Sequence, residues 1–115
     1  MYMVLINKKD IISINQSIGE DGNLINEGTL EFALNAIAKK QWLYCAAYLV
    51  RCLAIYHPFQ DGNKRTALGI ALIYFDYYDV DYDGDKLVAS IYLLAKENMT
   101  DINKIMRTIK NAIIR

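Results

Sequence analysis

One proline, one histidine and one tryptophan are all that this chain of 115 residues contains of those types. It has no surplus of charge either. Its 13 basic and 13 acidic side chains cancel, so no global field draws it to nucleic acid or to an anionic membrane surface. Cysteine is scarce: Cys45 and Cys52 stand two helical turns apart, about 10.5 Å along a helix axis, which is beyond disulfide geometry. Two thiols in an apolar stretch point to a reducing compartment, and the chain opens without the basic-then-apolar pattern of a secretory leader. A cytoplasmic setting is therefore expected. Arg51 and then His57 interrupt the longest apolar run, so it falls short of the roughly 18 residues that a membrane span requires. A chain of this length has room for one hydrophobic core and not for two, so residues 1–115 are expected to form one domain.

What is present is mostly helical pattern. Asn7, followed by Lys8, Lys9 and Asp10, reads as a helix cap with an acid at the third position, and Ile11, Ile14 and Ile18 form the apolar stripe behind it. Residues 19–28 form a loop whose two central apolar residues either pack down or make a brief extended piece. A second helix is expected over Thr29–Ala38, with Leu30, Leu34 and Ile37 on its inner face. Between Trp42 and Tyr56 Arg51 is the only charge, and between Ala67 and Phe75 there is none. The length of these runs, their alanines and their few β-branched residues favour buried helices over strands. An acidic loop over Asp76–Asp85, a helix over Lys86–Lys96 and a last helix capped by Thr100 or Asp101 complete the chain. The expected fold is all-α, a compact bundle of about six helices with two buried central ones joined by residues 57–63.

That junction holds the chemistry. His57-Pro58-Phe59-Gln60-Asp61-Gly62-Asn63-Lys64-Arg65-Thr66-Ala67 concentrates a base, a carboxylate, an amide and two cations between the two most apolar segments. Polar groups at such depth are costly unless they bind something. Pro58 ends the helix that brings up His57, and Gly62 permits a tight turn or a close approach to a ligand. A helix starting near Asn63 would point its free N–H groups into the same turn, which makes an anion site. Asn63, Lys64 and Arg65 add amide, ammonium and guanidinium donors. Asp61 repels a phosphate directly and assists one only through a divalent cation; capping the following helix is its other possible use. Histidine is the side chain best suited to take a proton near neutrality. Base, metal ligand and anion cradle together describe phosphoryl or nucleotidyl transfer to a hydroxyl.

These residues resemble the signature of the Fic/Doc (Fido) superfamily. With lysine at position 64, followed by Thr66-Ala67, the run is most similar to the death-on-curing (Doc) toxins of toxin–antitoxin modules. Ile11–Ile18 resembles the family's opening helix, and residues 26–34 resemble the stretch that precedes the core in compact members. The resemblance implies His57 as catalytic base, Pro58 and Phe59 as structural anchors and Asp61 as the ligand of Mg2+. It implies Gly62, Asn63, Lys64 and Arg65 as the residues that hold the phosphates of ATP. Members that transfer AMP commonly have glycine where Lys64 stands. In Doc-type members lysine there accompanies a reversed nucleotide, so that the γ-phosphate is transferred and the enzyme is a protein kinase acting on translation elongation factor Tu. Pro58 and Gly62 belong to the commoner Fic spelling, so AMP transfer, a nucleotidyltransferase activity, stays open as the alternative. An inactive interaction protein of the same fold is a third reading, although none of positions 57, 61, 63 and 65 is lost.

The family's inhibitory signature, serine, three residues, glutamate, then glycine or asparagine, is matched only imperfectly. Ser17-Ile18-Gly19-Glu20-Asp21-Gly22 has aspartate for glutamate and glycines that oppose a helix, and Glu97-Asn98 has Leu93 in the serine's place. Inhibition is therefore expected from a partner antitoxin. Lys104, Arg107, Lys110 and Arg115 lie on the last helix, too weak a footprint for nucleic acid. Arg51 is expected to be paired or to reach outward, and Trp42, Tyr44, Tyr48, Tyr56 and Tyr74 to lie in the core or at its edge. Asp79-Val80-Asp81-Tyr82-Asp83-Gly84 copies the start of a calcium-binding loop, but Lys86 and Ser90 stand where the loop needs an apolar residue and a glutamate. A solvated acidic turn is expected there.

Overall fold

Asn7 accepts the Asp10 N–H at 2.9 Å while the Asp10 carboxylate accepts the Asn7 N–H at 2.9 Å, a reciprocal cap that starts helix α1, Lys8–Ser17. The computed structural model describes residues 6–37 and 40–114. Within them follow α2 (Glu27–Ala36), α3 (Trp42–Arg51), a π-helical turn (Cys52–Tyr56), α4 (Asn63–Tyr77), α5 (Gly84–Lys96) and α6 (Ile102–Lys110). The all-α bundle with two central helices joined by the motif turn is thus the observed architecture. Helix α2 starts two residues earlier than its periodicity suggests, and its expected end, Ala38, lies outside the described residues, as does Arg115.

The centre is built from α3 and α4. Cys45, Ala46, Ala47, Leu49 and Val50 of α3 are buried, as are Ala67, Ile70, Ala71, Tyr74 and Phe75 of α4, and the two helices pack on each other. Aromatic residues fill one end of this packing. There Trp42 stacks on Tyr78 at 5.1 Å and meets Phe75 edge-on at 5.9 Å. Helix α6 closes over α3, while α1 and α5 each pack on α4. Both thiols are free and buried, and burial pushes the Cys52 thiol up to about 11, which keeps it protonated and unreactive.

Arg51 is paired, as expected: its Nη1 donates to the Thr100 carbonyl at 3.0 Å, and its guanidinium lies 4.6 Å from the Tyr48 ring centroid. Tyr56 departs from expectation. At 43% exposure it belongs to the surface, because the π turn rotates it off the buried face of α3. The acidic stretch is shorter than it reads, since α4 runs on to Tyr77. Asp83 accepts the Lys86 N–H at 3.1 Å as the cap of α5, and Tyr82 forms an antiparallel bridge with Ile113. The calcium-loop likeness is therefore a helix connection, and no cluster of three metal-ligating side chains occurs among the described residues. Nor, among them, is any helix long and apolar enough to cross a membrane.

Candidate active site

His57 is delivered by a change in helix winding. After Arg51 the chain widens into the π turn, and the His57 N–H reaches back five residues to the Cys52 carbonyl at 3.1 Å. Pro58 bars the right-handed helical conformation one residue before it, and His57 sits at φ 51°, ψ 67°, a left-handed backbone rare for a residue with a side chain. Such strain persists only where the surroundings impose it, and it gathers at functional sites. The ring folds back so that Nε2 lies 2.9 Å from the Ala54 carbonyl oxygen. A carbonyl oxygen only accepts, so this contact places the proton on Nε2 and leaves Nδ1 with its lone pair. The imidazole is exposed and held in one orientation.

The turn after it is held from three directions. The Pro58 carbonyl accepts the N–H groups of Ile25 at 2.8 Å and Asn26 at 3.0 Å, and Leu24 bridges Phe59 in antiparallel fashion. The brief extended piece expected in the loop after α1 is therefore present, zipped against the motif. Phe59 is buried at 1% exposure. Beneath it Asn15 of α1, 1% exposed, donates to the Asp61 carbonyl at 3.0 Å and to the Thr66 hydroxyl at 3.1 Å, and accepts the Gly22 N–H at 2.9 Å.

Asn63 also has a part within the turn. Its side chain accepts the Phe59 N–H at 3.0 Å and donates one N–H to the Phe59 carbonyl at 2.9 Å, so the amide shapes the turn and keeps its second N–H. Asn63 also offers an anion its backbone N–H, the first of α4. Gly62 precedes it at φ 78°, and a Cβ there would stand 2.6 Å from Glu20 Cγ, so the position requires glycine twice over.

Helix α4 begins without a side-chain cap and without an acid in its first turn. Its leading N–H groups and positive dipole end are therefore available to an anion. The Asp61 carboxylate does not cap the helix, which removes that use of it; it is exposed beside the helix start. Lys64 and Arg65 are exposed as well. A cavity of about 460 Å³ is lined by His57 and residues 59–65, joined by Ile25 and Tyr92. A single hard oxygen ligand next to a phosphate cradle suits Mg2+, which keeps several waters and takes its other ligands from phosphates. Asp61 is the residue here that would hold such an ion.

Three contributors escaped the sequence. Asn15 could have been noticed as the one amide interrupting the stripe of Ile11, Ile14 and Ile18. Glu20 stands in a segment whose spacing drew attention to Asp21, yet it is Glu20 that pairs with Arg65, Oε2 to Nη2 at 2.5 Å. Tyr92 gave no signal, because nothing in a helical period tells which exposed aromatic borders a cavity.

A family model described as Fic/DOC family matches residues 5–75, from the segment before α1 nearly to the end of α4. No curated protein matches the chain.

Proposed function

The chain belongs to the Fic/DOC family, whose members transfer nucleotide-derived groups to proteins, and we propose that it transfers the γ-phosphate of ATP to a hydroxyl of a protein. The observation that carries this reading is the exposed Lys64 in the first turn of an uncapped α4, in the same cavity as His57. A long cation at that place fills the volume that an AMP-transferring site leaves open, and its charge favours a terminal phosphate at the helix start. His57 Nδ1 accepts the proton of the acceptor hydroxyl as the hydroxyl oxygen bonds to the γ-phosphorus; the bond from that phosphorus to the β–γ bridging oxygen breaks, and ADP leaves. The N–H groups of α4, Lys64 and Arg65 hold the phosphate oxygens, and Gly62 keeps side-chain bulk away from them. A divalent cation on Asp61 would neutralise charge between that carboxylate and the phosphates.

A protein acceptor suits this surface: Ile25, 64% exposed, lines the His57 cavity, and Tyr56 and Phe32, 43% and 68% exposed, line a neighbouring hollow that begins one residue before His57. An apolar patch of that kind marks a protein contact. Elongation factor Tu is the proposed target, in the cytoplasm, and an antitoxin covering the same patch is the proposed inhibitor. Nucleic acid has no part in this reading.

The test is to incubate the chain with ATP, Mg2+ and elongation factor Tu and weigh the product. A gain of about 80 Da marks phosphorylation and is the expected result, whereas about 329 Da would mean that AMP was transferred, the outcome that the Pro58 and Gly62 spelling favours. No gain on any protein of an extract would leave an inactive relative.

Glu20 tempers the site. Its carboxylate occupies the Arg65 guanidinium that a phosphate needs, and the pair is partly exposed. Such pairs contribute about 0.5–1 kcal/mol, so Glu20→Gln is expected to tighten ATP binding about two- to fivefold in calorimetric titration. Unchanged or weaker binding would show that Arg65 is not a phosphate ligand.

A further inference from the structure

We propose that Arg51 is a positioning residue for His57: its guanidinium, held on the rings of Tyr48 and Tyr56, latches the π turn that presents the imidazole to the cavity. This rests on the reading of His57 as the base and adds what keeps it in place. Arg51 is the only charge between Trp42 and Tyr56, and it is poorly paired for a cation so placed. Among the described residues no carboxylate lies within ion-pair distance of it, and its Nε is buried without a hydrogen-bond partner. A methionine or leucine would avoid that desolvation cost. What the guanidinium has instead is two rings, with centroids at 4.6 Å for Tyr48 and 5.6 Å for Tyr56, while its Nη1 is fixed on the Thr100 carbonyl at 3.0 Å.

The two rings belong to different windings. Tyr48 precedes Arg51 by three residues on α3, a spacing at which side chains of an α-helix are neighbours. Tyr56 follows it by five. On an α-helix residues five apart point about 140° away from each other. The π turn over Cys52–Tyr56 pairs each N–H with the carbonyl five residues back and so brings position 56 round to position 51. The Arg51–Tyr56 contact therefore depends on the π winding and holds it in return. Tyr56 is 43% exposed and stands outside the hydrophobic core, so core packing does not clamp its ring. His57 is the next residue, its N–H bonded to the Cys52 carbonyl at 3.1 Å and its backbone in the strained left-handed region. Release of Tyr56 would let the turn tighten and carry the imidazole off the Ala54 carbonyl.

Amide hydrogen exchange followed by NMR, with transfer kinetics on elongation factor Tu, tests the latch in Tyr56→Leu, Tyr56→Phe and Arg51→Met. Tyr56→Leu is expected to speed exchange of the His57 N–H about three- to tenfold while amides in the middle of α4 hold, and Tyr56→Phe, which keeps the ring face, to exchange like wild type. Arg51→Met is expected to repeat the Tyr56→Leu pattern. In both, kcat should fall about three- to tenfold with affinity for a non-hydrolysable ATP analogue unchanged. A His57 amide unprotected in wild type, or equally protected in wild type and Tyr56→Leu, overturns the proposal. So does faster exchange throughout the chain in Tyr56→Leu, which would make the contact structural only, and so does a changed KM for the acceptor with kcat untouched. Should Arg51→Met fail to fold, Tyr56→Leu decides alone, since that ring lies outside the core. A wild type that transfers nothing would overturn the reading of His57 as the base, while the exchange pattern still decides the latch.

Discussion

His57→Ala is expected to slow transfer about a hundred- to ten-thousandfold, the usual contribution of a positioned general base. Affinity for a non-hydrolysable ATP analogue should stay within about twofold of wild type, because the interaction removed is one made with the acceptor hydroxyl. The structure separates these two roles. His57 closes the π turn at one end of the motif, whereas the anion cradle is the start of α4, with Gly62 between Asp61 and the first helical N–H. The imidazole gives its Nε2 proton to the Ala54 carbonyl and makes no other hydrogen bond among the described residues. Single-turnover rates and calorimetric affinities, measured on the same preparations, check both halves. A rate near that of wild type would remove His57 from the chemistry. Nucleotide binding lost in step with the rate would make it a ligand of the phosphates.

The separation also marks where sequence reasoning reached its limit. Local signals were legible wherever one residue type satisfies a local need: Asn7 and Asp10 at a helix start, Asp101 at another, Pro58 after a helix end, Gly62 where φ is positive. The long apolar runs identified the central helices because only a buried helix tolerates them. The π turn was not legible, since its widening depends on what α3 packs against and not on a residue preference. For the same reason Tyr56 was placed too deep. For Asn63 only the geometry shows that its amide oxygen and one N–H are engaged with Phe59. The Glu20–Arg65 pair joins residues far apart in sequence, a closeness that no local pattern announces.

The same is true of Asn15, and here the expected effect is on stability. Asn15→Leu keeps the branched shape of the side chain but abolishes the three hydrogen bonds to Asp61, Gly22 and Thr66 at a position 1% exposed. A buried partner left unsatisfied costs about 1–3 kcal/mol. With the Gly22 N–H, the Asp61 carbonyl and the Thr66 hydroxyl all affected, a loss of about 3 kcal/mol is a conservative expectation. For a domain of this size that lowers the melting temperature by roughly 10–25 °C. Coupling provides the sharper check. Thr66 is fully buried and its hydroxyl meets Asn15 Nδ2, so Thr66→Val alone leaves that donor short of a partner. Once Asn15 is leucine, the valine removes a hydroxyl that has already lost its partner, and the second substitution should cost little or even restore stability. Denaturant unfolding of the two single variants and the double variant measures this. Strictly additive losses, or a melting temperature for Asn15→Leu within a few degrees of wild type, would show that the amide does not hold the motif turn. Activity should follow stability here, because the carbonyl that Asn15 grips belongs to Asp61 and the helix it steadies begins with the phosphate cradle.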